Sequence, residues 1–408
     1  MKIEIIPVGN EILIGQIIDT NSAWMAAQLT KAGFEIIAIT TVGDCTKDIC
    51  QALDTAFSRA DVVLMTGGVG PTKDDITKTT LCNYFNTDLV FDDSVLENIN
   101  RIFAHKNYAL NELTRNQAFV PKNCTVIQNI VGTAPVLWFE QNNKVLVSMP
   151  GVPFEMKTVM SDEIIPRLRK QFQSIDYLKS SLLISGITES ALAIRLSDFE
   201  EQLSQKFSLA YLPSYGLIRL RLSAWGAENA PEMEARKEQL KQLVKDVLID
   251  ESDKPLETIL GEKLRSKKLS ISTAESCTGG NIAHQITLIS GASNYFKGSI
   301  VSYANQVKSD ILNIDSEIID KYGAVSREVV EQMAQSVSKK LKTDCSIAVS
   351  GIAGPDGGTP DKPVGTVWIC TKVKDKILTQ KYQFGTSREE NINRTTNMAL
   401  LQLIKMLE

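Results

Sequence analysis

The chain has 408 residues, too many for one ordinary hydrophobic core, so two or three domains are expected. A hydrophobic content of 43% and a charged content of 23% are those of a globular protein that folds in water. The net charge of -4, with no block of lysine and arginine, argues against a nucleic-acid footprint spread over the surface.

Residues 1–18 are apolar but broken by Glu4, Pro7, Asn10 and Glu11. They lack a basic leader, a small-residue cleavage site and a membrane-length run, so a cytoplasmic location away from any membrane is expected. The seven cysteines form no C-x-x-C pair, so neither a disulfide framework nor a zinc knuckle is indicated. His105 and His284 are the only histidines. Chemistry must therefore rest on carboxylates, Ser, Cys, Lys or Arg.

The first third alternates strand and helix. Lys2–Val8 reads as a buried strand, Thr20–Lys31 as a helix opened by polar residues, and Phe34–Val42 as a second strand. Thr46–Arg59 is a helix, and Asp61–Thr66 a third strand that ends in Gly67 and Gly68. Such an order implies a mostly parallel sheet with ligands at the carboxyl ends of its strands. In TGGVGPTKDDITKTTL (Thr66–Leu81), Gly67, Gly68 and Gly70 permit close approach of backbone to a phosphate or pterin. Asp74 and Asp75 are expected in the first turn of the next helix, where the helix dipole favours acids. Paired carboxylates beside a phosphate cradle also suit a hard cation such as Mg²⁺. Both readings stand on the residues alone.

Around Lys179–Leu248 the rhythm becomes that of a small α+β module with a charged helix, Ala230–Val247, and Ile249–Pro255 reads as a linker. The α/β rhythm returns from Glu257. Strand Leu269–Thr273 runs into AESCTGG (Ala274–Gly280) and a helix, Asn281–Leu288. Free N–H groups at that helix start would receive an anion or form an oxyanion hole. Ser276 and Cys277 are rival nucleophiles, the thiol favoured if a helix terminus lowers its pKa. Simple capping of the helix is the bland alternative.

A strand, Ser299–Tyr303, leads to SYANQVKSDIL, where Lys308 is either a solvated helix residue or a general base of depressed pKa. Strand Cys345–Ser350 opens into SGIAGPDGGTPDKPVGTVW, a Gly/Pro loop of the kind that closes over ligands. Strands follow near Gly365–Val373 and Leu378–Phe384, then a helix from Arg388. Arg394 has Glu390 at i,i+4, so it either forms a surface pair or, like Arg388, holds a substrate phosphate.

The set TAESCTGG, SYANQVK, GAVSREVVEQMA and SGIAGPDGGTPDKPVGTVW resembles the C-terminal domain of the CinA (competence/damage-inducible protein A) family, itself similar to stand-alone nicotinamide mononucleotide deamidases. The resemblance implies hydrolysis of the carboxamide of nicotinamide mononucleotide to nicotinate mononucleotide and ammonia, without a cofactor. It carries the nucleophile to Ser276, the base to Lys308, and supporting roles to Tyr303 and Ser350. Substrate contacts fall to Thr278, Gly279, Gly280, Gly351 and one of Arg388 and Arg394.

The pieces VGNEILIGQIIDTN, TVGD, GGVGPTKDDIT, GTAP and MPGVPFEM resemble the molybdopterin-binding-like domain of the same family. That likeness implies a metal-dependent ADP-ribose pyrophosphatase. Glu11, Asp44, Asp74 and Asp75 would serve a divalent cation (with K⁺ as a further candidate), and Gly67, Gly68 and Gly70 the diphosphate. Two positions depart from the family pattern: Asn10, where an acid or threonine is usual, and Val136, where glycine commonly follows GTAP. The middle is similar to the family's KH-like module, but without a GxxG loop or a basic face RNA binding does not follow.

The expected architecture is α/β: two α/β domains with mostly parallel or mixed sheets, 1–172 and 255–408, flanking a small α+β module at 173–250. A homodimer acting on small nucleotides is expected. The competing functions are a molybdenum-cofactor transferase and a regulatory protein linked to competence or DNA damage.

Overall fold

Strand β1 (Lys2–Pro7) is buried from its second residue onward, and a strand hidden on both faces needs neighbours on both sides. It has them: β2 (Glu35–Ile39) and β3 (Val62–Thr66) pair with it in parallel. Two short strands, β4 (Leu89–Phe91) and β5 (Phe119–Pro121), form a separate antiparallel ribbon. With β6 (Thr125–Ile127), β7 (Val136–Gln141) and β8 (Lys144–Met149), the main sheet has the order β2-β1-β3-β8-β7-β6. It is parallel as far as β8 and antiparallel beyond. Met25 and Leu29 of helix Thr20–Lys31 join the core on one face, and Ile49 and Leu53 of helix Thr46–Arg59 join the core on the other.

The computed structural model describes residues 1–106 and 110–408, and the side chain of His105 lies outside the described residues. The chain separates into two compact units, Met1–Leu178 with Ala224–Pro231, and Lys179–Ser223 with Glu232–Glu408.

In the middle segment β9 (Tyr177–Ser185), β10 (Phe207–Ser214), β11 (Leu217–Trp225) and β12 (Leu248–Asp250) form a sheet of order β10-β11-β9-β12. The C-terminal sheet comprises β13 (Ile271–Glu275), β14 (Phe296–Val301), β15 (Cys345–Gly351), β16 (Thr366–Val373) and β17 (Lys376–Gln383), in the order β14-β13-β15-β16-β17. Its first three strands are parallel and the last two antiparallel. Leu183 and Leu217 of the middle sheet share one core with Leu256, Ile259 and the last helix, Arg388–Met406. The fold is therefore mixed α/β, as expected.

In both α/β sheets the chain leaves the first strand toward one neighbour and returns on its other side. The crevice beyond the carboxyl ends at such a switch point is where this class of sheet receives ligands. No helix among the described residues is long and apolar enough to cross a membrane.

Three boundaries differ from expectation in ways that matter. β13 extends through Glu275, whose side chain is fully buried, so the apolar pattern ended two residues before the strand did. β14 ends at Val301, which leaves Tyr303 in the loop beyond it. The helix after the Gly-rich turn begins at Thr77, so Asp74 and Asp75 lie ahead of it, not in its first turn.

Candidate active site

β13 delivers Glu275 and then Ser276 to the carboxyl edge of the C-terminal sheet, and the Ser276 N–H remains tied to Val349 O at 3.1 Å. Gly279 and Gly280 then take φ of +61° and +100°, conformations that side chains disfavour, and turn the chain into helix Asn281–Thr287. The free helix N–H groups expected there are not free. The Glu275 carboxylate accepts from the N–H of Gly280 at 3.1 Å, Ile282 at 3.0 Å and Ala283 at 2.8 Å. It also accepts from the Thr278 hydroxyl at 2.7 Å, and from Thr273 and Ser299 at 3.2 and 3.4 Å. The anion at this helix terminus belongs to the protein, and the Thr278 hydroxyl and the Gly280 N–H are turned to it. Among the described residues the N–H groups of Cys277 and Thr278 have no acceptor.

Lys308 lies on helix Asn305–Leu312, on the same face as buried Leu312, and is only 1% exposed. The solvated alternative is thereby overturned. Its Nζ lies 3.1 Å from Ser276 Oγ, 2.7 Å from Ser302 O and 3.3 Å from Tyr303 O. Burial holds its ammonium below the usual lysine range, because the charged form loses hydration that no carboxylate replaces.

Cys277 is 6% exposed, and burial pushes its thiol up to about 12. This removes the lowered pKa that made it a rival, since Glu275 already occupies the helix terminus. His284 is exposed on helix Asn281–Thr287. Tyr303 is 60% exposed, and its hydroxyl accepts from Arg388 Nη2 at 2.8 Å. Arg388 Nη1 also donates to Gly354 O at 2.7 Å, which joins the last helix to the Gly/Pro loop. Arg394 instead faces Glu390 at 3.7 Å on the helix surface.

Ser350 is buried and donates to Ala324 O at 2.7 Å, so its hydroxyl ties β15 to the GAVS segment. A Cβ at Gly351 would lie 2.6 Å from Val367 Cγ2, so glycine there answers to the packing of β16. The groups missed by sequence reasoning are Glu275 and the carbonyls of Ser302 and Gly354. An acid ending an apolar strand, with a threonine three residues on, was the available signal for the first. Backbone carbonyls leave none.

In the first unit, a cavity of about 420 Å³ opens at the carboxyl ends of β1 and β3. Glu11, Asp44, Asp74 and Asp75 all line it, with the turn Gly67, Gly68 and Gly70. Gly67 has φ +111°, and a Cβ there would lie 2.2 Å from Val8 O. Asp44 accepts from Asn10 N at 3.0 Å, so Asn10 contributes a backbone donor. Asp75 accepts from both the N–H and the hydroxyl of Thr72. Among the described residues no three acidic, His or Cys side chains converge as a ready-made metal cage. Glu155, which sequence reasoning passed over, also lines the cavity and accepts from Asn129 Nδ2 at 2.7 Å. Two further lining groups, Asn21 Oδ1 and Gln117 Oε1, are buried acceptors with no partner among the described residues.

Family models match along the chain as a probable molybdopterin binding domain at 4–170, a damage-inducible protein CinA KH domain at 179–251 and a CinA C-terminal domain at 253–407. A CinA-like protein of Cytophaga hutchinsonii is 44% identical over 407 residues, covering 98% of this chain and 97% of that one. One from Flavobacterium psychrophilum is 44% identical over 410 residues, covering 99% and 98%. A competence/damage inducible protein of Agrobacterium tumefaciens with a crystal structure is 36% identical, covers 38% of this chain and 99% of its own, and has a TM-score of 0.37. The chain belongs to the CinA family.

Proposed function

We propose that the C-terminal domain hydrolyses the carboxamide of nicotinamide mononucleotide to nicotinate mononucleotide and ammonia, with Ser276 as nucleophile and Lys308 as base. The observation that carries this reading is the 3.1 Å approach of an almost fully buried lysine amine to a serine hydroxyl. A neutral amine has two N–H donors and one lone pair. With the carbonyls of Ser302 and Tyr303 taking the two hydrogens, the lone pair is left for the serine proton.

In the first step Ser276 Oγ attacks the carboxamide carbon while Lys308 takes its proton. Collapse of the tetrahedral intermediate breaks the C–N bond, and Lys308 returns the proton to the departing ammonia. Water then attacks the acyl ester and passes one proton to Lys308, which returns it to Ser276 Oγ as the ester C–O bond breaks. The product leaves as the carboxylic acid and gives its remaining proton to the solvent. Arg388, placed by Tyr303 and Gly354, keeps further N–H donors for the substrate phosphate. The test is ammonia release from nicotinamide mononucleotide by the full chain. No release by the wild-type protein, or undiminished release by Ser276→Ala, overturns the reading.

For the N-terminal domain the cavity supports the metal-dependent ADP-ribose pyrophosphatase reading. Its donors are oxygens throughout, carboxylates together with two unpartnered amide oxygens, and these suit a hard cation. Mg²⁺ is commonly held by one or two carboxylates plus substrate phosphates, so a complete protein cage is not required. When bound, such a cation neutralises charge on a diphosphate. Asp74 and Asp75 would hold it, and the turn Gly67–Gly70 would receive the diphosphate against its backbone.

A further inference from the structure

We infer that Glu275 is a positioning residue for Ser276: by drawing the helix N–H groups inward, it fixes the nucleophile turn and leaves the Cys277 and Thr278 N–H groups as the oxyanion donors. The inference rests on the amidase reading for its substrate, but not for its geometry.

Glu275 is fully buried, and an acid at the end of a central strand is costly unless its lone pairs are filled. They are filled mostly by the segment that follows, with Thr273 and Ser299 completing the set. Glu275 Oε2 receives Thr278 Oγ1, Gly280 N and Ile282 N, and Oε1 receives Ala283 N and the Thr273 and Ser299 hydroxyls. Four of these donors lie within eight residues after Glu275, so the carboxylate pins the turn that carries Ser276 from both its inner and its far end. The Ser276 N–H is bound to Val349 O, and Gly279 N turns back to Ser276 O at 3.1 Å. Of the N–H groups from Ser276 to Ala283 that start the helix, those left over belong to Cys277 and Thr278.

Those two residues are themselves only 6% and 4% exposed, and orphaned N–H groups in buried segments are rare. They flank the nucleophile on its C-terminal side, where an oxyanion formed on a carbon bonded to Ser276 Oγ would need donors. The helix N-terminus cannot fill that role, because Glu275 has taken its donors. Glu275 thus acts through the turn and touches no substrate.

Glu275→Gln tests this, since it keeps the shape but places an amide NH₂ against N–H donors. Two readouts are taken on the folded full chain: the rate at which a small alkyl fluorophosphonate labels Ser276, with Ser276→Ala as blank, and the kinetics of ammonia release. A misplaced nucleophile and oxyanion site should slow labelling and lower kcat by about 10²-fold. KM should stay near the wild-type value, and the acidic limb of the pH profile should move little, because Lys308 stays buried against the carbonyls of Ser302 and Tyr303. Labelling of Glu275→Gln at the wild-type rate overturns the inference, whatever the substrate proves to be. Slowed labelling in a protein whose wild type releases no ammonia would sustain the positioning role and sink the amidase reading alone.

Discussion

Lys308 Nζ and Ser276 Oγ lie 3.1 Å apart, with the lysine 1% and the serine 8% exposed. Dry contact of this kind penalises the ammonium, so the acidic limb of kcat/KM should titrate below the ordinary lysine range. Lys308→Met should lose roughly 10³-fold or more in kcat, while His284→Ala keeps most of it. A limb that disappears in His284→Ala would assign the proton acceptor to histidine instead.

The same lysine links stability to pH. Its folded-state pKa lies below the unfolded one, so between the two the unfolded chain binds more protons and stability rises with pH. Below that window the penalty is constant. Going from neutral pH toward the ordinary lysine pKa, the wild type should therefore gain Tm relative to Lys308→Met. A difference in Tm that does not change across that range would count against a depressed lysine.

Ser276→Ala should abolish deamidation, by roughly 10³-fold or more, and Cys277→Ala should retain most of it. Burial pushes the Cys277 thiol up to about 12, so it should also resist alkylation by iodoacetamide near neutral pH in the folded protein. Peptide mass mapping reads this directly. Rapid modification of Cys277 accompanied by inactivation would reverse the assignment.

Of the two arginines in the last helix, Arg388 should matter. Its links to Tyr303 and Gly354 place it beside the Gly/Pro loop, and Arg388→Ala should raise KM by about 10- to 100-fold. Arg394 is half-buried and pairs with Glu390 at 3.7 Å, away from Tyr303 and Gly354, and Arg394→Ala should stay within about threefold of wild type. Equal effects of the two on KM would remove the distinction.

Asp74→Asn and Asp75→Asn should sharply lower cleavage of ADP-ribose to ribose 5-phosphate and AMP, and leave ammonia release unchanged. Asp75→Asn should cost more, because Asp75 also holds the Thr72 turn. Excess EDTA should stop the cleavage. Undiminished cleavage in EDTA would end the metal-dependent version of this reading.

Periodicity alone carried much of the architecture. Helices Thr20–Lys31 and Thr46–Arg59 fall where their apolar spacing put them, because each must bury one stripe against the sheet. The Gly-rich turns were legible for a similar reason, since few residues besides glycine tolerate the conformations found at Gly67 and Gly280. Ser276, Lys308 and the acids around the Gly67 turn were all legible as candidates, since their residue types and motifs are local. Their pairing was not local. That Lys308 is buried beneath Ser276, that Arg388 and not Arg394 meets Tyr303, and that Ser350 turns to Ala324 depend on strands brought side by side from distant parts of the chain. Glu275 shows the limit most plainly. In sequence it is one acid before a serine, and only the folded turn brings six donors around it and leaves two N–H groups beside the nucleophile. Local propensity sets which elements form, whereas burial and hydrogen-bond satisfaction, which are properties of the packed whole, decide which side chain faces which.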